Sequence, residues 1–514
     1  MAPYVISYDL GTGGIKTSLV SAEGKIVEST FMAYPTYHPQ ADWQEQAPED
    51  WWNAIIQTTR LLLGKAGTSV AQNIIGLAIS GHSLGVVPIG HDGKLLCGTT
   101  PLWNDQRALE QAETFFSQTD YQAWYMRTGN GFPPACYSVF KMMWYRQHEP
   151  ELFAQTAKFL GTKDYCNYRF TGKMYTDHSY ASGSGVYDLQ KWAYDDALIQ
   201  LSGIPSNLFP EPLPSDWIIG EITPEAAAET GLPAGIKVVA GGVDNSCMAL
   251  GAKGICNGRT YTSLGSSAWI AHVSSTPILD TQNRTYVFAH VLPDMYASAT
   301  CIFSAGTSLQ WVRNTCCPDL IEREKETGID AYEAMTRLAM QSPVGANGVL
   351  FNPSLAGGSM LEPVPYMSGA FSGLRLQHTR ADLLRATLEG IALNLRIALD
   401  ALRTHSPLTE DMLMVGGGAK NAFWMQLFAN IYACTVETTS INQSAATLGA
   451  AALALNGLGV WNGYEAIDRL HTDVNRFVPS TAHTREYEQT ILPRFNQLTT
   501  SIATQERQKQ NSHE

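Results

Sequence analysis

The sequence predicts an α/β protein of two domains that share one plan, with a cleft between them. Its 514 residues are more than a single hydrophobic core normally organises. Residues 4–31 have the pattern of strand, glycine loop, strand, turn and strand, and alternating helix and strand patterns follow. The opening pattern recurs over residues 260–271, about half the chain later. Short Gly/Ser loops are common, so a chance recurrence is the alternative.

Each half also carries a long helix pattern and an apolar strand that ends in glycine. In the first half, Pro48 and an apolar stripe predict a helix over 48–66, and the apolar run 74–80 predicts a buried strand that ends at Gly81. In the second half, a strand is predicted over 412–418 and a helix over 422–432. The predicted domains are residues 1–250, residues 251–480 and a polar helical tail over 481–514.

The composition excludes several classes of protein. With 34 Lys and Arg against 47 Asp and Glu, the net charge of −13 argues against a nucleic-acid partner. Apolar residues make up 45% of the chain, but no run is long enough to predict a membrane span or a membrane partner. The first residues lack the basic start of a signal peptide. Nine cysteines without a CxxC pair predict a reduced, cytoplasmic protein with neither disulfides nor structural zinc.

The segment 9–16 has the residues of a phosphate-binding loop. Its glycines let the backbone fold tightly, so that N–H groups face an anion. Thr12 adds a hydroxyl donor, Lys16 adds a positive charge, and Asp9 at the strand end is placed to hold Mg²⁺ through water. A plain hairpin turn is the alternative. The segment is neither a Walker loop nor a dinucleotide-binding fingerprint.

Two later glycine-rich segments also indicate chemistry. In 238–246 an apolar strand leads through two glycines to Asp244, an arrangement that suits a general base acting on a hydroxyl. The alternative is an Asp or Asn cap of the following helix. In 414–421 three glycines separate a strand from a helix, which leaves room for a flat ligand such as adenine against the backbone. A tight connection that needs only one glycine is the alternative.

From Asp9 to about Leu455 the sequence resembles the FGGY family of carbohydrate kinases. The most specific match is Gly-x-Phe-x-Gly-Leu over 369–374 followed by 382–389, which fits the family's C-terminal signature at every position. The N-terminal signature is close over 138–144 but departs at the two flanking positions, Cys136 and Tyr145. Three further segments lean towards xylulokinases, namely 102–107, 163–165 and 447–451.

The resemblance implies two duplicated ribonuclease H-like domains of the actin-like ATPase fold, with an interdomain catalytic cleft. It implies ATP-dependent phosphorylation of a hydroxyl of a small sugar, such as the ketose xylulose, or of a polyol. Asp244 is then the catalytic base, and Asp9 binds Mg²⁺ through water. The implied contacts of ATP are Asp9, Thr12, Gly13, Gly14, Lys16, Ser266, Gly306, Gln310, Gly417, Gly418 and Asn421. The implied contacts of the sugar are His82, Ser83, Trp103, Asn104, Asp105 and Asn245, and a homodimer is the expected assembly.

Two departures from the xylulokinase pattern bear on the sugar. Xylulokinases typically carry Gln-Met-His before a glycine where this chain has His82-Ser83-Leu84. Either His82 reaches the sugar from a new place or the substrate differs, and a structural hydrogen-bonding role of His82 is the alternative. The family's Ser-Gly-Glu-Arg segment is Ala-Gly-Gly-Ser over 356–359. The sequence therefore predicts that D-xylulose is at best one of several substrates.

Two rival classes share the resemblance. One is an ATPase switch of the same fold, such as a chaperone or filament protein, and the other is a degenerate sugar-sensing relative. The combination of Asp244 with the segment 103–105 favours a sugar kinase, and the presence of both Asp9 and Asp244 speaks against a degenerate sensor.

Overall fold

A computed structural model describes residues 3–359, 361–408 and 411–511, so the predicted tail over 481–514 extends past them by residues 512–514. The described residues form two compact units of interleaved segments. The first unit is drawn from Met1–Asn257, Val273–Ser298 and Ser444–Leu470. The second unit is drawn from Gly258–His272, Ala299–Gln443 and His471–Glu514.

The strands of the described chain, in order, are β1 (Tyr4–Gly11), β2 (Gly14–Ser21), β3 (Ile26–Ala33), β4 (Glu45–Gln46), β5 (Ile74–Gly81), β6 (Val87–Gly90), β7 (Thr100–Pro101), β8 (Thr156–Leu160), β9 (Tyr175–Asp177), β10 (Tyr187–Asp188), β11 (Ala193–Tyr194), β12 (Glu211–Leu213), β13 (Ile218–Glu221), β14 (Lys237–Val239), β15 (Gly242–Val243), β16 (Thr260–Leu264), β17 (Ala268–Ser274), β18 (Tyr286–Ala289), β19 (Tyr296–Ile302), β20 (Leu350–Asn352), β21 (Ala370–Ser372), β22 (Asp411–Val415), β23 (Thr435–Thr438) and β24 (Asn475–Phe477).

The α-helices are α1 (Pro48–Ala66), α2 (Thr68–Ala71), α3 (Leu109–Phe116), α4 (Tyr121–Thr128), α5 (Ser138–His148), α6 (Pro150–Gln155), α7 (Thr162–Thr171), α8 (His178–Ala181), α9 (Asp196–Ser202), α10 (Pro224–Thr230), α11 (Asp244–Gly251), α12 (Gly306–Cys316), α13 (Pro318–Thr327), α14 (Ala331–Ala339), α15 (Arg380–Arg403), α16 (Ala422–Tyr432), α17 (Ala445–Gly457), α18 (Ala466–Leu470), α19 (Thr481–Glu486) and α20 (Leu492–Asn511). A π-helical turn over Tyr487–Ile491 joins the last two.

The first sheet has the strand order β13-β14-β5-β1-β2-β3, with β15 beside β5. Strands β1 and β2 form an antiparallel hairpin, while β1, β14 and β15 all run parallel to β5. The carboxyl ends of β1, β5 and β15 therefore meet at one edge of this sheet. Open α/β sheets bind ligands beyond the carboxyl ends of their parallel strands, so this edge is where chemistry is expected.

The second sheet repeats the plan of the first. Its order is β18-β19-β17-β16-β22-β23-β24, in which β16 forms an antiparallel hairpin with β17 and runs parallel to β22. A strand with an antiparallel partner on one side and a parallel partner on the other thus lies at the centre of both sheets. The recurrence in the sequence therefore reflects one strand plan used twice rather than chance.

Close helix packing fixes the position of α11, the helix that begins at Asp244. A Cβ atom at Gly449 of α17 would lie 1.9 Å from the carbonyl oxygen of Cys247 on α11, and one at Gly251 would lie 1.8 Å from the carbonyl oxygen of Ala445. Only glycine permits backbones to approach this closely. The alanine-rich α17 is buried along most of its length, which explains its apolar composition without a membrane role.

The local predictions from sequence are largely confirmed. The strands within 4–31, the helix over 48–66 and the helix over 422–432 all form. The strand predicted over 412–418 ends at Val415, because the glycines that follow adopt a short 3₁₀ helix instead. Within the part of the chain that the structure describes, no helix combines the length and apolar character that crossing a membrane requires.

Candidate active site

Two carboxylates flank the end of β5 at the carboxyl edge of the first sheet. Asp9 on β1 and Gly242 on β15 both pair with Ser80 of β5, one from each side. Asp244 follows two residues after Gly242 and opens α11. The hydroxyl of Ser80 donates to Oδ1 of Asp9 over 3.4 Å. The fold thus brings two residues that are 235 positions apart in the sequence to one edge of one sheet.

The turn before Asp244 requires glycine. Gly241 has a φ of 70°, and a Cβ atom there would lie 2.1 Å from the carbonyl oxygen of Ile79. The helix cap that follows is Val243, which uses no side-chain cap, so the alternative that Asp244 or Asn245 caps α11 is wrong. Oδ1 of Asp244 accepts a hydrogen bond of 2.8 Å from the backbone N–H of Asn245, the other residue predicted at this point.

Both carboxylates have raised pKa values. Burial raises the pKa of Asp244 to about 7, and the negative charge of Asp9 adds to the shift. Burial also raises the pKa of Asp9 to about 6, although Lys16 and Ser80 oppose the change. A carboxylate that titrates near neutral pH both accepts and releases a proton readily, which is the property a general base needs.

The predicted phosphate loop is a tight hairpin between β1 and β2. Gly11 pairs with Gly14, so Thr12 and Gly13 form a two-residue turn. A Cβ atom at Gly14 would lie 2.5 Å from the carbonyl oxygen of Met32, which accounts for glycine at this position. Lys16 is the register partner of Asp9, which places the cation next to the carboxylate.

Trp103, one of the predicted sugar contacts, lies against the phosphate loop. Its indole N–H donates to the hydroxyl of Thr12 over 3.2 Å. Asn104 donates from Nδ2 to Oε1 of Gln44 over 2.7 Å, while its Oδ1 is buried and has no hydrogen-bond partner in the described chain. An acceptor oxygen of Asn104, in the same loop as Trp103, is therefore left without a hydrogen-bond donor among the described residues.

Asp105 is held by the protein itself. Its side chain is fully buried, and the guanidinium of Arg107 donates to both of its carboxylate oxygens over 2.8 Å. The backbone N–H of Gln44 also donates to Oδ2 over 2.8 Å. The geometry gives Asp105 a role in fixing the loop that Gln44 belongs to, and its predicted contact with substrate stays a prediction.

His82 follows directly after β5 and is buried next to Ser83. Its ring packs edge-on against Trp51, with ring centroids 5.4 Å apart, and neither ring nitrogen has a hydrogen-bond partner among the residues that the structure describes. Burial lowers the pKa of His82 to about 3, so the imidazole is neutral at physiological pH. The described residues therefore give no support to the alternative in which the ring is a structural hydrogen-bonder, and the role of His82 stays a prediction.

Leu84 turns away from polar surroundings. Its backbone has a φ of 61°, in the left-handed region, and its side chain belongs to an apolar cluster that includes Val86 and Trp124. The ammonium of Lys141 donates to the carbonyl oxygen of Leu84 over 3.0 Å, which helps hold this unusual backbone. Leu84 contributes shape to the loop and no hydrogen bond from its side chain.

The second unit contains a large cavity lined by all six residues predicted there to contact ATP. The cavity encloses about 1200 Å³. The six residues come from three separate segments of the chain and are Ser266, Gly306, Gln310, Gly417, Gly418 and Asn421. A cavity of this size accommodates a nucleotide-sized ligand.

Glycine and hydrogen bonds shape the walls of this cavity. A Cβ atom at Gly306 would lie 2.5 Å from the carbonyl oxygen of Gly265, and one at Gly418 would lie 2.5 Å from a methyl carbon of Leu264. The side chain of Asn421 caps α16 by accepting from the N–H of Trp424 over 3.1 Å. The close approaches explain why this cavity needs glycines that a plain connection would not.

Other lining residues, among them Tyr332, Met340 and Phe477, were not predicted from the sequence. Tyr332 and Met340 come from α14 and the residue that follows it, and Phe477 is the last residue of β24. They supply apolar and aromatic faces to the cavity. No glycine motif or regular spacing marks them, so the sequence carries no signal that would have found them.

Two family models match the chain, one after the other along the sequence. The sequence model described as "FGGY family of carbohydrate kinases, N-terminal domain" matches residues 4–251, and that of the C-terminal domain matches residues 260–458. The chain belongs to the FGGY family of carbohydrate kinases. This FGGY kinase is therefore an ATP-using enzyme of the actin-like ATPase fold, as the resemblance predicts, and nothing favours the ATPase switch or the degenerate sensor.

Individual relatives match over nearly their whole length. The FGGY kinase is 31% identical over 489 residues to a xylulose kinase of Bacillus subtilis (strain 168), with 94% of each chain covered. It is 28% identical to a gluconokinase of the same organism, with 98% of this chain and 97% of the relative covered. The crystal structure of xylulose kinase from Rhodospirillum rubrum superposes with a TM-score of 0.86 at 28% identity, covering 97% of this chain and 99% of that one.

The raised pKa of Asp244 predicts a stability cost that depends on pH. Its pKa rises from 3.8 in a free carboxyl to about 7 in the folded FGGY kinase, so the native state holds a proton that the unfolded chain releases between these values. The contribution of this group to the free energy of unfolding is therefore most favourable at low pH. It falls as the pH rises towards 7, because the charged carboxylate is disfavoured in the folded state. Asp244→Asn removes the charge and keeps the shape. It is expected to raise the free energy of unfolding by on the order of 2 kcal/mol at pH 8 and by little at pH 4.

Denaturant unfolding at pH 4 and pH 8 measures this difference. The full shift corresponds to about 4 kcal/mol, and the expectation is smaller because the side chain keeps partial contact with water. Asp294→Asn, at an exposed position, is the control and should give the same small change at both pH values. A gain that is equal at pH 4 and pH 8 would show that the carboxylate is not destabilised by burial.

Proposed function

We propose that this FGGY kinase transfers the γ-phosphate of ATP to a hydroxyl of a small ketose or polyol, with Asp244 as the general base. The observation that carries the proposal is the half-buried Asp244 carboxylate with its raised pKa, opposite Asp9 at the carboxyl edge of the first sheet. A carboxylate in such a place has few roles in stability, since its charge is costly there.

In the proposed step, Asp244 accepts the proton of the sugar hydroxyl as that oxygen attacks the γ-phosphorus. The new O–P bond forms as the bond between the γ-phosphorus and the ADP oxygen breaks, and the proton remains on Asp244. The hydrogen bond from the N–H of Asn245 fixes Oδ1 of Asp244 and leaves Oδ2 for the hydroxyl. Positioning and charge neutralisation supply most of the acceleration in reactions of this kind.

The residues that hold ATP are proposed to divide between two regions. The N–H groups of Thr12, Gly13 and Gly14, with the hydroxyl of Thr12 and the charge of Lys16, bind the phosphates. Ser266, Gly306 and Gln310 add contacts to the nucleotide phosphates. The adenosine lies in the 1200 Å³ cavity against Gly417, Gly418 and Asn421.

Asp9 is the proposed holder of Mg²⁺ through water. The residues fit, because Asp9 has hard carboxylate oxygens and, among the side chains that the structure describes, a single long hydrogen bond, from Ser80. Among residues 3–359, 361–408 and 411–511, no cluster of three or more His, Cys, Asp or Glu could hold a metal alone. Magnesium is commonly bound by one carboxylate together with substrate phosphates, and when bound it neutralises the phosphate charge.

The sugar is proposed to lie against unused polar atoms of the first unit. The two ring nitrogens of His82 and Oδ1 of Asn104 are buried without partners in the described chain. Buried polar atoms of this kind are normally satisfied, and sugar hydroxyls both donate and accept hydrogen bonds. Ser83, Trp103, Asp105 and Asn245 complete the proposed set.

Several relatives are named xylulose kinase, which favours D-xylulose, but the His82–Leu84 loop favours a wider range. The xylulokinase pattern places a histidine at position 84, where this chain has an apolar side chain in an apolar cluster. A substrate hydroxyl that faced Leu84 would lack a partner. We therefore propose that D-xylulose is one of several substrates, which include other ketoses or polyols.

A coupled assay of ADP release across pentuloses, hexuloses, gluconate and polyols tests the function. At least one member is expected to stimulate ADP release, and His82→Ala is expected to lower kcat/KM for the best one by roughly 5–150-fold through a lost buried hydrogen bond. His91→Ala, at an exposed histidine of the same unit, is the control.

The outcomes test the kinase function and the specificity of the His82–Leu84 loop separately. If no member of the panel stimulates ADP release, the proposed function is wrong. If D-xylulose is the best substrate by more than about tenfold and His82→Ala leaves its kcat/KM untouched, the loop carries no specificity. Leu84→His is expected to lose stability without gaining activity, since it places an imidazole in apolar surroundings.

Three further expectations belong to the proposal. All nine cysteines are free thiols, which supports a reducing compartment such as the cytoplasm.

The homodimer rests on the family resemblance, and light scattering of the purified protein measures it. The domain boundaries proposed at 250/251 and 480/481 are measured by limited proteolysis.

A further inference from the structure

A buried ionic network lies directly beneath the turn that delivers Asp244. Lys163 is fully buried, and its ammonium contacts three oxygen atoms. These are Oδ1 of Asp164 at 2.5 Å, Oδ1 of Asp177 at 2.9 Å and the carbonyl oxygen of Ala240 at 3.2 Å. An ammonium has three N–H donors, so Lys163 is fully satisfied, and one of its three bonds holds the first residue of the turn.

The second oxygen of Asp177 serves two serines. Oδ2 of Asp177 accepts from the hydroxyl and the backbone N–H of Ser179 and, over 2.7 Å, from the hydroxyl of Ser215. Both serines also hold the turn. The hydroxyl of Ser179 accepts from the N–H of Val243 over 2.9 Å, and the carbonyl oxygen of Ser215 accepts from the N–H of Gly241 over 2.9 Å.

Every described residue whose side chain binds Asp177 thus also binds the backbone of 240–243, Lys163 and Ser179 through their side chains and Ser215 through its carbonyl oxygen. The three contacts reach the carbonyl of residue 240 and the N–H groups of residues 241 and 243. Asn167 adds a fourth, since its Nδ2 donates to the carbonyl oxygen of Ala240 over 2.9 Å. Residue 243 immediately precedes Asp244, so this backbone sets where the Asp244 side chain begins.

Stability alone does not explain so many buried charges. Burial opposes the charged form of Lys163, although Asp164 and Asp177 together raise its pKa above the usual value. Buried ion pairs commonly contribute no more stability than well-packed apolar side chains of the same volume. Neutral hydrogen bonds would suffice to close a glycine turn. What a rigid charged network adds is one defined position for the groups attached to it.

We propose that Asp177 and Ser179 are positioning residues that hold the backbone of 240–243 and thereby place the Asp244 carboxylate against the substrate hydroxyl. This inference rests on the proposed function, because it takes Asp244 as the base. Neither residue touches the substrate. Small displacements of a catalytic group lower kcat steeply, while substrate affinity depends on other contacts.

Ser179→Ala tests the proposal without removing a charge. It deletes the acceptor of the Val243 N–H and leaves Lys163 paired with Asp177. The expected result is a fall in kcat of roughly 10–100-fold, with KM for ATP and for the sugar within about threefold of the wild-type values. Hydrogen exchange followed by mass spectrometry is expected to show faster exchange in a peptide over 238–246.

Ser182→Ala is the matched control. Ser182 is also fully buried, and its hydroxyl donates to the carbonyl oxygen of Ser179 over 2.7 Å and accepts from the N–H of Ala289 over 3.1 Å. It belongs to the same short stretch of chain but has no hydrogen bond to 240–243. Its kcat and the exchange of the 238–246 peptide are expected to match those of the wild type.

Two results would overturn the inference: wild-type kcat and exchange in Ser179→Ala, or an equal loss of kcat in Ser182→Ala. If the wild-type protein shows no sugar-dependent turnover at all, the proposed function fails. In that case the exchange of the 238–246 peptide alone decides whether Ser179 holds the turn.

Discussion

Replacement of Asp244 by asparagine is expected to lower kcat by roughly 10²–10⁴-fold while ATP binding stays within about twofold of the wild type. An amide has the shape of the carboxyl group but accepts no proton, so the sugar hydroxyl would attack without a base. The residues proposed to bind ATP are elsewhere, in the β1–β2 hairpin and in the cavity of the second unit. Steady-state ADP release at saturating sugar measures kcat, and isothermal titration measures nucleotide affinity.

The pH profile sharpens this test. Because the base acts in its deprotonated form and the pKa of Asp244 is about 7, wild-type kcat is expected to rise with pH through this region and then level off. The residual activity of Asp244→Asn should lack the rise. Asp294→Asn serves as the control for loss of one negative charge. A variant at position 244 with near wild-type kcat, or with an unchanged pH profile, would assign the base to another residue.

Features set by neighbouring residues were predictable from the sequence. The hairpin at 4–21 and the helix over 422–432 follow from local periodicity and from glycines at their ends. The role of Asp244 was not decidable in this way, because a base and a helix cap have the same local pattern. The cap alternative is removed only by Val243 being the cap residue, which is a property of the folded backbone, and the role of Asp244 as base stays a proposal.

Features that join distant segments of the chain could not be predicted from the sequence. The network under the Asp244 turn combines Lys163, Asp177, Ser179 and Ser215, and of these only Lys163 lies in a segment that resembles xylulokinases, 163–165. Nothing in the spacing of these residues indicates that they share one buried cluster.

The predicted nucleotide residues and the predicted sugar residues also differ in what the structure shows of them. The six predicted nucleotide residues of the second half line one cavity, and most of them lie in or close to the glycine-rich segments that the sequence displays, while Gln310 lies within α12. Among the predicted sugar residues, Asp105 proved to be occupied by Arg107, a partner only two positions away. An acidic residue in a motif can support its loop as well as a ligand, and the sequence does not separate these roles.

Replacement of Asp9 by alanine is expected to raise the Mg²⁺ concentration for half-maximal rate by about tenfold or more and to lower kcat/KM for ATP by roughly 10²–10³-fold. Asp9 offers a carboxylate at the end of β1, with one side-chain hydrogen bond from Ser80 and a register partner in Lys16. If Asp9 holds Mg²⁺ through water as proposed, its loss would remove the protein anchor of the metal and leave the phosphate charge less well neutralised. Initial rates over a grid of Mg²⁺ and ATP concentrations measure both effects.

Lys16→Ala is expected to respond to a different ligand from Asp9→Ala, and this difference makes the measurement over Mg²⁺ and ATP concentrations decisive. Lys16 is a cation on the same hairpin, and its ammonium also donates to the hydroxyl of Ser444 over 2.8 Å, so Ser444→Ala controls for that contact. The loss in Lys16→Ala should shrink as ATP rises, because the lost group binds phosphate directly. The loss in Asp9→Ala should shrink as Mg²⁺ rises at fixed ATP. If both variants respond to the same ligand, or to neither, the phosphates and the metal are held by other residues than this hairpin.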